Sequence, residues 1–488
     1  MSSTTETRVF LTGESPLGKY ESVIGLECHV QLATRSKMFC GCPTEYAGSP
    51  PNTHVCPVCL GMPGVLPVIN RAAVDYTLMT GLAINATIPA ATKFDRKNYP
   101  YPDLVKGYQI SQYDLPLVKG GWIEITVEGD TRRIQLERVH LEEDTGKLTH
   151  VPGGSLVDFN RSGVPLMEMV SQPDLRTPAE ARAYLQKLRA ILRSLGVSGA
   201  DMEKGQLRCD VNVSLRPVGE QKLGTKVEVK NLNSFRSVQR ALEYEIVRQA
   251  TALDAGETIP QETRGWLDDR GVTVSQRSKE QAHDYRYFPE PDLPPVFVDD
   301  AWLNRLRERL PELPDARRAR YMAAFGLGGY DAEALSTDHW AARLFEDTVA
   351  AGADAKKAAN WIQNDVARLR GESDGHALDA EHLAELIKLV DEGVIGISAA
   401  RQVLPTVYET GRPPRALVEE QGLAQVSDTA ALEQTVRDVL EANPTPVADY
   451  RAGKVTAINY LKGQVMKASR GKANPTVVEE LLKQHLSS

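Results

Sequence analysis

The feature that most limits how this chain can fold is a change of patterning near residue 310. Before it, short apolar stretches alternate with polar residues between Gly- and Pro-rich turns. Beyond it, Ala, Leu, Glu and Arg recur at helical spacing. Strands and helices segregated in this way predict an α+β chain with separate cores. The 488 residues suffice for about three domains at roughly 100–200 residues each. The stretch Pro289 to Pro295 and the pair Pro311/Pro314 mark one break, and Pro413-Pro414 and Pro444/Pro446 mark the next. The expected organisation is an N-terminal extension over 1–19, a β-rich domain over 20–310, a helical domain over 311–415 and a small helical tail over 416–488.

Two elements of the first region are legible in detail. Trp122-Ile-Glu-Ile-Thr-Val-Glu128 alternates cleanly, Gly129-Asp130 supplies a turn, and Ile134 and Leu136 resume the alternation, which predicts a hairpin. Thr177, Pro178 and Glu180 form a cap, a first-turn proline and a capping box. The stripe Tyr184, Leu185, Leu188, Ile191, Leu192 and Leu195 follows, and Gly196 ends the predicted helix.

Charge excludes one broad class. With 57 Lys/Arg against 65 Asp/Glu the chain carries −8, so it lacks the diffuse positive field of a small nucleic-acid binder. The exception is the end of the chain, where residues 445–488 hold seven Lys/Arg and three Asp/Glu. No apolar run reaches the roughly 18 residues of a membrane span, and Met1 to Glu21 contains no apolar leader segment, so a cytoplasmic protein with no membrane contact is expected.

Cys40-Gly-Cys42 and Cys56-Pro-Val-Cys59 are two short thiol pairs, the usual means of offering four sulfurs tetrahedrally to zinc. Four thiolates close the coordination sphere, so such a site is structural; four unligated thiols are the alternative. His54 reads as a loop residue, and Cys28 and Cys209 as core.

Alternation applied to polar residues is more informative. Glu27, His29 and Gln31 fall on one face of a strand whose other face is Leu26, Cys28 and Val30. His140 and Glu142 share a face if their strand continues past Leu136, with Glu143 directed elsewhere unless the chain turns. Arg208, Asp210, Asn212 and Ser214 line up likewise, as do Lys226, Glu228 and Lys230. A solvated sheet face explains any one of these strands. Glu168, inside Pro165-Leu-Met-Glu-Met-Val170, is a carboxylate costly to bury without a cation or donor. Magnesium is one remedy, with Glu142, Glu143, Asp144 and Glu168 as oxygen donors, and salt-bridged structural carboxylates are the other. Arg96-Lys97-Asn98 and Asn160-Arg161 supply cations suited to phosphate. No GxxxxGK[ST] or GxGxxG cradle, nucleophile elbow or HExxH occurs.

Ile24-Gly-Leu-Glu-Cys-His-Val-Gln31, Lys93-Phe-Asp-Arg-Lys-Asn-Tyr99, His140-Leu-Glu-Glu-Asp-Thr-Gly146, Leu207-Arg-Cys-Asp-Val-Asn-Val213 and Lys230-Asn-Leu-Asn-Ser-Phe235 together resemble the B subunits of the bacterial aspartyl/glutamyl-tRNA amidotransferases. Asp284-Tyr-Arg-Tyr-Phe-Pro-Glu-Pro-Asp292 and Gly463-Gln-Val-Met-Lys-Ala-Ser469 extend the likeness from about residue 20 to the end. The resemblance implies a cradle-shaped catalytic domain, a helical domain and a tail related to the YqeY family. It implies that ATP phosphorylates the side-chain carboxylate of Glu-tRNA(Gln) or Asp-tRNA(Asn), and that ammonia then displaces phosphate. The ammonia would come from a partner amidase, the A subunit, with a small C subunit completing a heterotrimer. It places Mg2+ on His29, Glu143 and Glu168 with Glu27 beside them and Lys97 in the same pocket; some relatives lack the four cysteines, so structural Zn2+ there, read from the thiol spacing, is expected to serve local folding and not the chemistry. By charge, Arg451, Lys454, Lys462, Lys467, Arg470 and Lys472 offer phosphate contacts or form a solvated helical face, and the resemblance favours the first, a tRNA-binding tail. Two rival readings remain: a non-catalytic, zinc-braced tRNA-binding scaffold, and a phosphotransferase acting on a small carboxylate without tRNA.

Overall fold

A computed structural model describes residues 18–278, 285–372, 378–424, 429–469 and 473–487. The extension expected over 1–19 lies almost wholly outside them. The chain divides into two compact units, Met1–Pro314 and Asp315–Ser488.

The first unit runs β1 (Tyr20–Gln31), α1 (Arg71–Ala83), β2 (Ala91–Thr92), β3 (Asp95–Asn98), β4 (Tyr108–Ser111), β5 (Val118–Lys119), β6 (Trp122–Val127), β7 (Asp130–Glu143), β8 (Lys147–Val151), β9 (Gly154–Asp158) and β10 (Pro165–Ser171). It continues through α2 (Pro178–Ser194), β11 (Leu207–Pro217), β12 (Val227–Lys230), α3 (Phe235–Asp254), β13 (Glu262–Leu267), β14 (Val272–Ser278), β15 (Phe288–Pro289), β16 (Val296–Phe297) and α4 (Asp300–Glu308). Among the described residues its frame is a nine-stranded sheet in the order β14-β13-β12-β11-β1-β10-β7-β5, with β6 paired to β7. The pairings are antiparallel except β12 with β13. A small sheet, β15-β3-β4, carries Lys97.

One face of the large sheet is apolar because every second residue of its central strands is. Leu26, Cys28 and Val30 of β1, Met167 and Met169 of β10, Val139 and Leu141 of β7, and Val211 and Val213 of β11 belong to one buried cluster. The same cluster takes in Leu185, Leu188 and Leu192 of α2 and Val238, Leu242 and Ile246 of α3. Burying each of these leucines contributes about 1.5–3 kcal/mol, so α2 is held by its stripe rather than by propensity. The opposite face keeps the ionisable residues.

Both predicted elements form, with one correction. The hairpin turn sits at Glu128-Gly129, both at positive φ (53° and 94°), and Asp130 already pairs with Val127. Two positive φ values suit the tight turn whose twist matches the flanking strands. At α2, Thr177 accepts from the Glu180 backbone and the Glu180 carboxylate accepts from the Thr177 backbone. Gly196 follows at φ +67°.

The second unit holds only helices among its described residues, from Pro314–Phe325 to Pro475–Ser487. It contains two separate hydrophobic clusters, one spanning Tyr321 to Val418 and the other Leu432 to Leu486. The break expected at 415/416 therefore falls inside a helix, Pro414–Glu420, whose Leu417 and Val418 pack into the first cluster. Pro414 starts that helix instead of ending the domain, as proline at a first helical position does. No helix among the described residues is long and apolar enough to cross a membrane.

Replacing Thr177 by Ala removes one half of the capping box and is expected to cost about 1 kcal/mol. Chemical denaturation of the intact chain followed by circular dichroism checks this; an unchanged midpoint would show the cap is not engaged.

Candidate active site

Register builds the site. His29 of β1 stands directly opposite Glu168 of β10, and Glu168 stands opposite His140 of β7. Residues facing each other across antiparallel strands project to the same side, so three neighbouring strands deliver an imidazole, a carboxylate and an imidazole in a row. Two residues along, Glu27 and Glu142 join the same face. His29 Nε2 lies 3.3 Å from Glu168 Oε2, 3.7 Å from Glu142 Oε1 and 3.9 Å from Glu27 Oε1. His140 Nε2 lies 3.4 Å from Glu168 and 3.9 Å from Glu142. Two sets of donor atoms, Glu27/His29/Glu168 and His140/Glu142/Glu168, each fit within 4.8 Å. They share Glu168.

Glu143 is not part of this group. Its parity turns it to the other side of β7, where its Oε1 accepts from Lys106 Nζ (2.6 Å) and from the Ile110 backbone (3.0 Å). The cation set expected from the resemblance, His29, Glu143 and Glu168, is therefore not brought together. Glu142 occupies the place given to Glu143, and it accepts from Ser111 Oγ at 3.2 Å. Strand alternation already separated the two glutamates; aligning the run Glu142-Glu143-Asp144 by motif did not.

The electrostatics of the row are those of crowded carboxylates. Burial alone would lower the His29 pKa, but its hydrogen bond to Glu168 and the charges of Glu168, Glu142 and Glu27 outweigh that and hold it near 9. Glu168 is buried, which would raise its pKa, yet His140 and His29 hold it well below the usual carboxylate range. Glu27 is pushed up by burial and by the charge of Glu168. Lys97 is raised: burial opposes its charge, and Glu142 heads the groups that outweigh burial. Its Nζ stands 5.1 Å from the Tyr285 ring centroid. Arg96, its neighbour on β3, faces away and pairs with Glu290 at 2.7 and 2.8 Å.

At one end of the row stands a second network, which takes Asp144, expected among the magnesium oxygens, into an ion pair with Arg208 instead. Arg208 of β11 is opposite His29, and its Nη2 donates to Asp144 Oδ2 at 2.8 Å. Gln31 donates to the same oxygen at 2.9 Å and to the Tyr46 hydroxyl at 3.2 Å. Asp144 is buried, which would raise its pKa, but Arg208, Arg161 and Gln31 keep it low.

Tyr46 belongs to the loop that carries the thiols. Cys40, Cys42, Cys56 and Cys59 place their sulfurs within 4.8 Å of one another. Against burial, a hydrogen bond from Cys40 first, then the Cys56 backbone N–H and the charge of Lys37, draw the Cys59 thiol down to about 4, while burial pushes Cys42 up to about 11. Lys37 is 1% exposed, with Nζ 3.6 Å from Cys59 Sγ and 2.7 Å from the His54 carbonyl. His54 thus offers its backbone to Lys37, and its ring stays outside the sulfur group.

In the tail, Arg451 Nε donates to the Leu486 carbonyl (3.4 Å), Lys454 pairs with Asp449 (3.3 Å) and Lys462 with Glu479 (2.7 Å). Lys467 is exposed on the helix Ala457–Ala468. Arg470 and Lys472 lie outside the described residues.

Because His29 gains proton affinity on folding, it stabilises the metal-free fold fully below its unfolded pKa of about 6.5, and that contribution disappears as pH rises through about 9. NMR titration of the metal-free chain should place its midpoint near 9, and Glu168→Gln should lower it. A midpoint near the ordinary histidine value in both would contradict the cluster.

Residues 22–304 match the family model described as the GatB/GatE catalytic domain, and residues 343–486 match that described as the GatB domain. The B subunit of the aspartyl/glutamyl-tRNA(Asn/Gln) amidotransferase of Moorella thermoacetica is 57% identical over 476 residues, covering 96% of this chain and 100% of the relative. Its counterpart in Thermomicrobium roseum is 55% identical, covering 96% and 99%. That of Roseiflexus is 53% identical, covering 96% and 98%. The chain belongs to the family of aspartyl/glutamyl-tRNA(Asn/Gln) amidotransferase B subunits.

Proposed function

We propose that this chain phosphorylates and amidates a mischarged tRNA: Glu-tRNA(Gln), Asp-tRNA(Asn) or both are the substrates, and ATP is the phosphoryl donor. The observation that carries this reading is the meeting of Glu142, Glu168 and His29 on one sheet face, with Lys97 of the small sheet held by the charges of both glutamates, in a chain of this family. Ammonia is supplied by a separate amidase, the A subunit, and a small C subunit completes a cytoplasmic heterotrimer.

A carboxylate is a poor electrophile because oxide is a poor leaving group. One carboxylate oxygen attacks the γ-phosphorus, the bond to the bridging oxygen breaks, and ADP leaves. Ammonia then attacks the acyl carbon, phosphate departs, and loss of a proton yields the amide. Lys97 neutralises charge on the transferring phosphoryl group and orients it. Glu142 and Glu168, 3.7 and 3.3 Å from His29 Nε2, would hold a divalent cation together with His29, with Glu27 and His140 alongside. Their fit rests on three carboxylates crowded onto one face, a set that needs positive charge. A bound magnesium ion supplies Lewis-acid stabilisation of the phosphoryl oxygens.

The four thiols fit zinc by number and convergence: one is already drawn toward thiolate, and no position is left open, as in a structural site. Through the Tyr46–Gln31 contact this brace fixes the loop against the end of the acidic row. Arg451, Lys454, Lys462 and Lys467, with Arg470 and Lys472, meet tRNA phosphates. The exposed ion pair of Lys454 with Asp449 is weak enough to exchange for them.

Three outcomes are expected. In the complete amidotransferase, Glu168→Gln and Lys97→Met lower ATP consumption driven by mischarged tRNA at least about a hundredfold; full activity in both would leave the scaffold reading standing. Manganese affinity, followed by electron paramagnetic resonance, rises with pH up to about 9 and then levels, because His29 must lose its proton to bind. A pH-independent affinity would remove His29 from the cation set. Elemental analysis finds about one zinc per chain, lost in Cys56→Ser; an unchanged metal content in that variant would refute the sulfur site.

A further inference from the structure

Phosphoryl transfer to a carboxylate brings two anions together, and the cations assigned so far all serve the phosphate side. We propose that Arg208 binds the side-chain carboxylate of the aminoacyl group, holding one oxygen while the other attacks phosphorus. This inference rests on the phosphoryl-transfer reading above.

Arg208 is paired with His29 across β1 and β11, so its side chain rises from the same face as the acidic row and beside it. Its own side chain is 37% exposed while Asp144 behind it is 2% exposed, so the guanidinium is anchored from below and open above. Asp144 also receives Gln31 and the Thr145 backbone, so it is fixed before Arg208 reaches it.

A guanidinium carries five N–H groups in a fork that matches a carboxylate. Among the described residues, the hydrogen bonds of Arg208 go to Asp144 through Nη2. Its remaining donors are available to a ligand.

Asp144 is shared by two guanidiniums, with Arg161 Nε 3.7 Å away, so one positive charge is left over at this end of the row. The other cations of the face do not have that surplus. Lys230 sits between Asp210 (2.7 Å) and Glu228 (3.4 Å). Arg138 lies between Glu137 (2.5 Å) and Glu168 (4.0 Å). Arg161 donates from Nε to the Thr145 carbonyl and from Nη2 to the Gly146 carbonyl.

The test uses the complete amidotransferase with Arg208→Gln and Arg208→Lys. The KM for mischarged tRNA should rise about tenfold to a hundredfold in Arg208→Gln and less in Arg208→Lys. The KM for ATP, and the affinity for uncharged tRNA and for the amidated product, should stay within about twofold of wild type, since none presents a carboxylate. Those controls also report that the variants are folded. If the KM for ATP rises instead, Arg208 serves the phosphates and the proposal falls. If affinity for all tRNAs drops alike, its role is structural and the proposal falls. Glu168→Gln is run in parallel: if it keeps ATP turnover, the phosphoryl-transfer reading fails. If Glu168→Gln is inactive while Arg208→Gln leaves the KM for mischarged tRNA unchanged, only the assignment of Arg208 fails.

Discussion

The row His29–Glu168–His140 across three adjacent strands is the constraint on which the other features depend. Antiparallel pairing leaves no freedom in which residues share a face, so β1, β10 and β7 cannot form their apolar core without also stacking these ionisable groups on the reverse side. A slip of one residue in any of the three would drive Met167, Met169 or Cys28 to the outside and a charge into the core. Core and site are thus two faces of one register.

Crowded carboxylates on a half-buried surface repel one another, and the fold answers with cations brought from distant parts of the chain. Lys97 arrives on a separate small sheet, Arg208 on β11 and Lys230 on β12. His29 keeps its proton to about pH 9 in the metal-free chain. These are the marks of a surface shaped for a positive ligand bridging to anions, rather than of a solvated sheet face, where lysine and glutamate would lie apart in water. The thiol loop adds rigidity at one end through Tyr46, Gln31 and the buried Asp144.

Much of this was legible in the sequence because strand and helix periodicities leave direct traces. Alternation separated the Glu27/His29/Gln31 face from the Leu26/Cys28/Val30 face, and the capping box located the start of α2 to the residue. Where periodicity and motif disagreed, periodicity was the better guide: it put Glu142 with His140 and turned Glu143 away, whereas likeness to a family motif chose Glu143. What stayed hidden was what only tertiary pairing creates. Lys106 and Lys37 sit in loops without any repeat, and nothing local signals that one meets Glu143 and the other Cys59. The partnership of Arg208 with Asp144 spans 64 positions. In the helical half, Pro413-Pro414 looked like a terminator but opens a helix, since proline fits a first turn as readily as it ends a preceding one.

The central claim is that Glu142, Glu168 and His29 share one cation and that Glu143 does not. Anomalous diffraction from manganese-soaked crystals of the complete amidotransferase tests it most directly. The account predicts a peak at about 2.0–2.3 Å from carboxylate oxygens of both Glu142 and Glu168 and from His29, with Glu143 still bound to Lys106. A peak coordinated by Glu143, or none near His29, would contradict it.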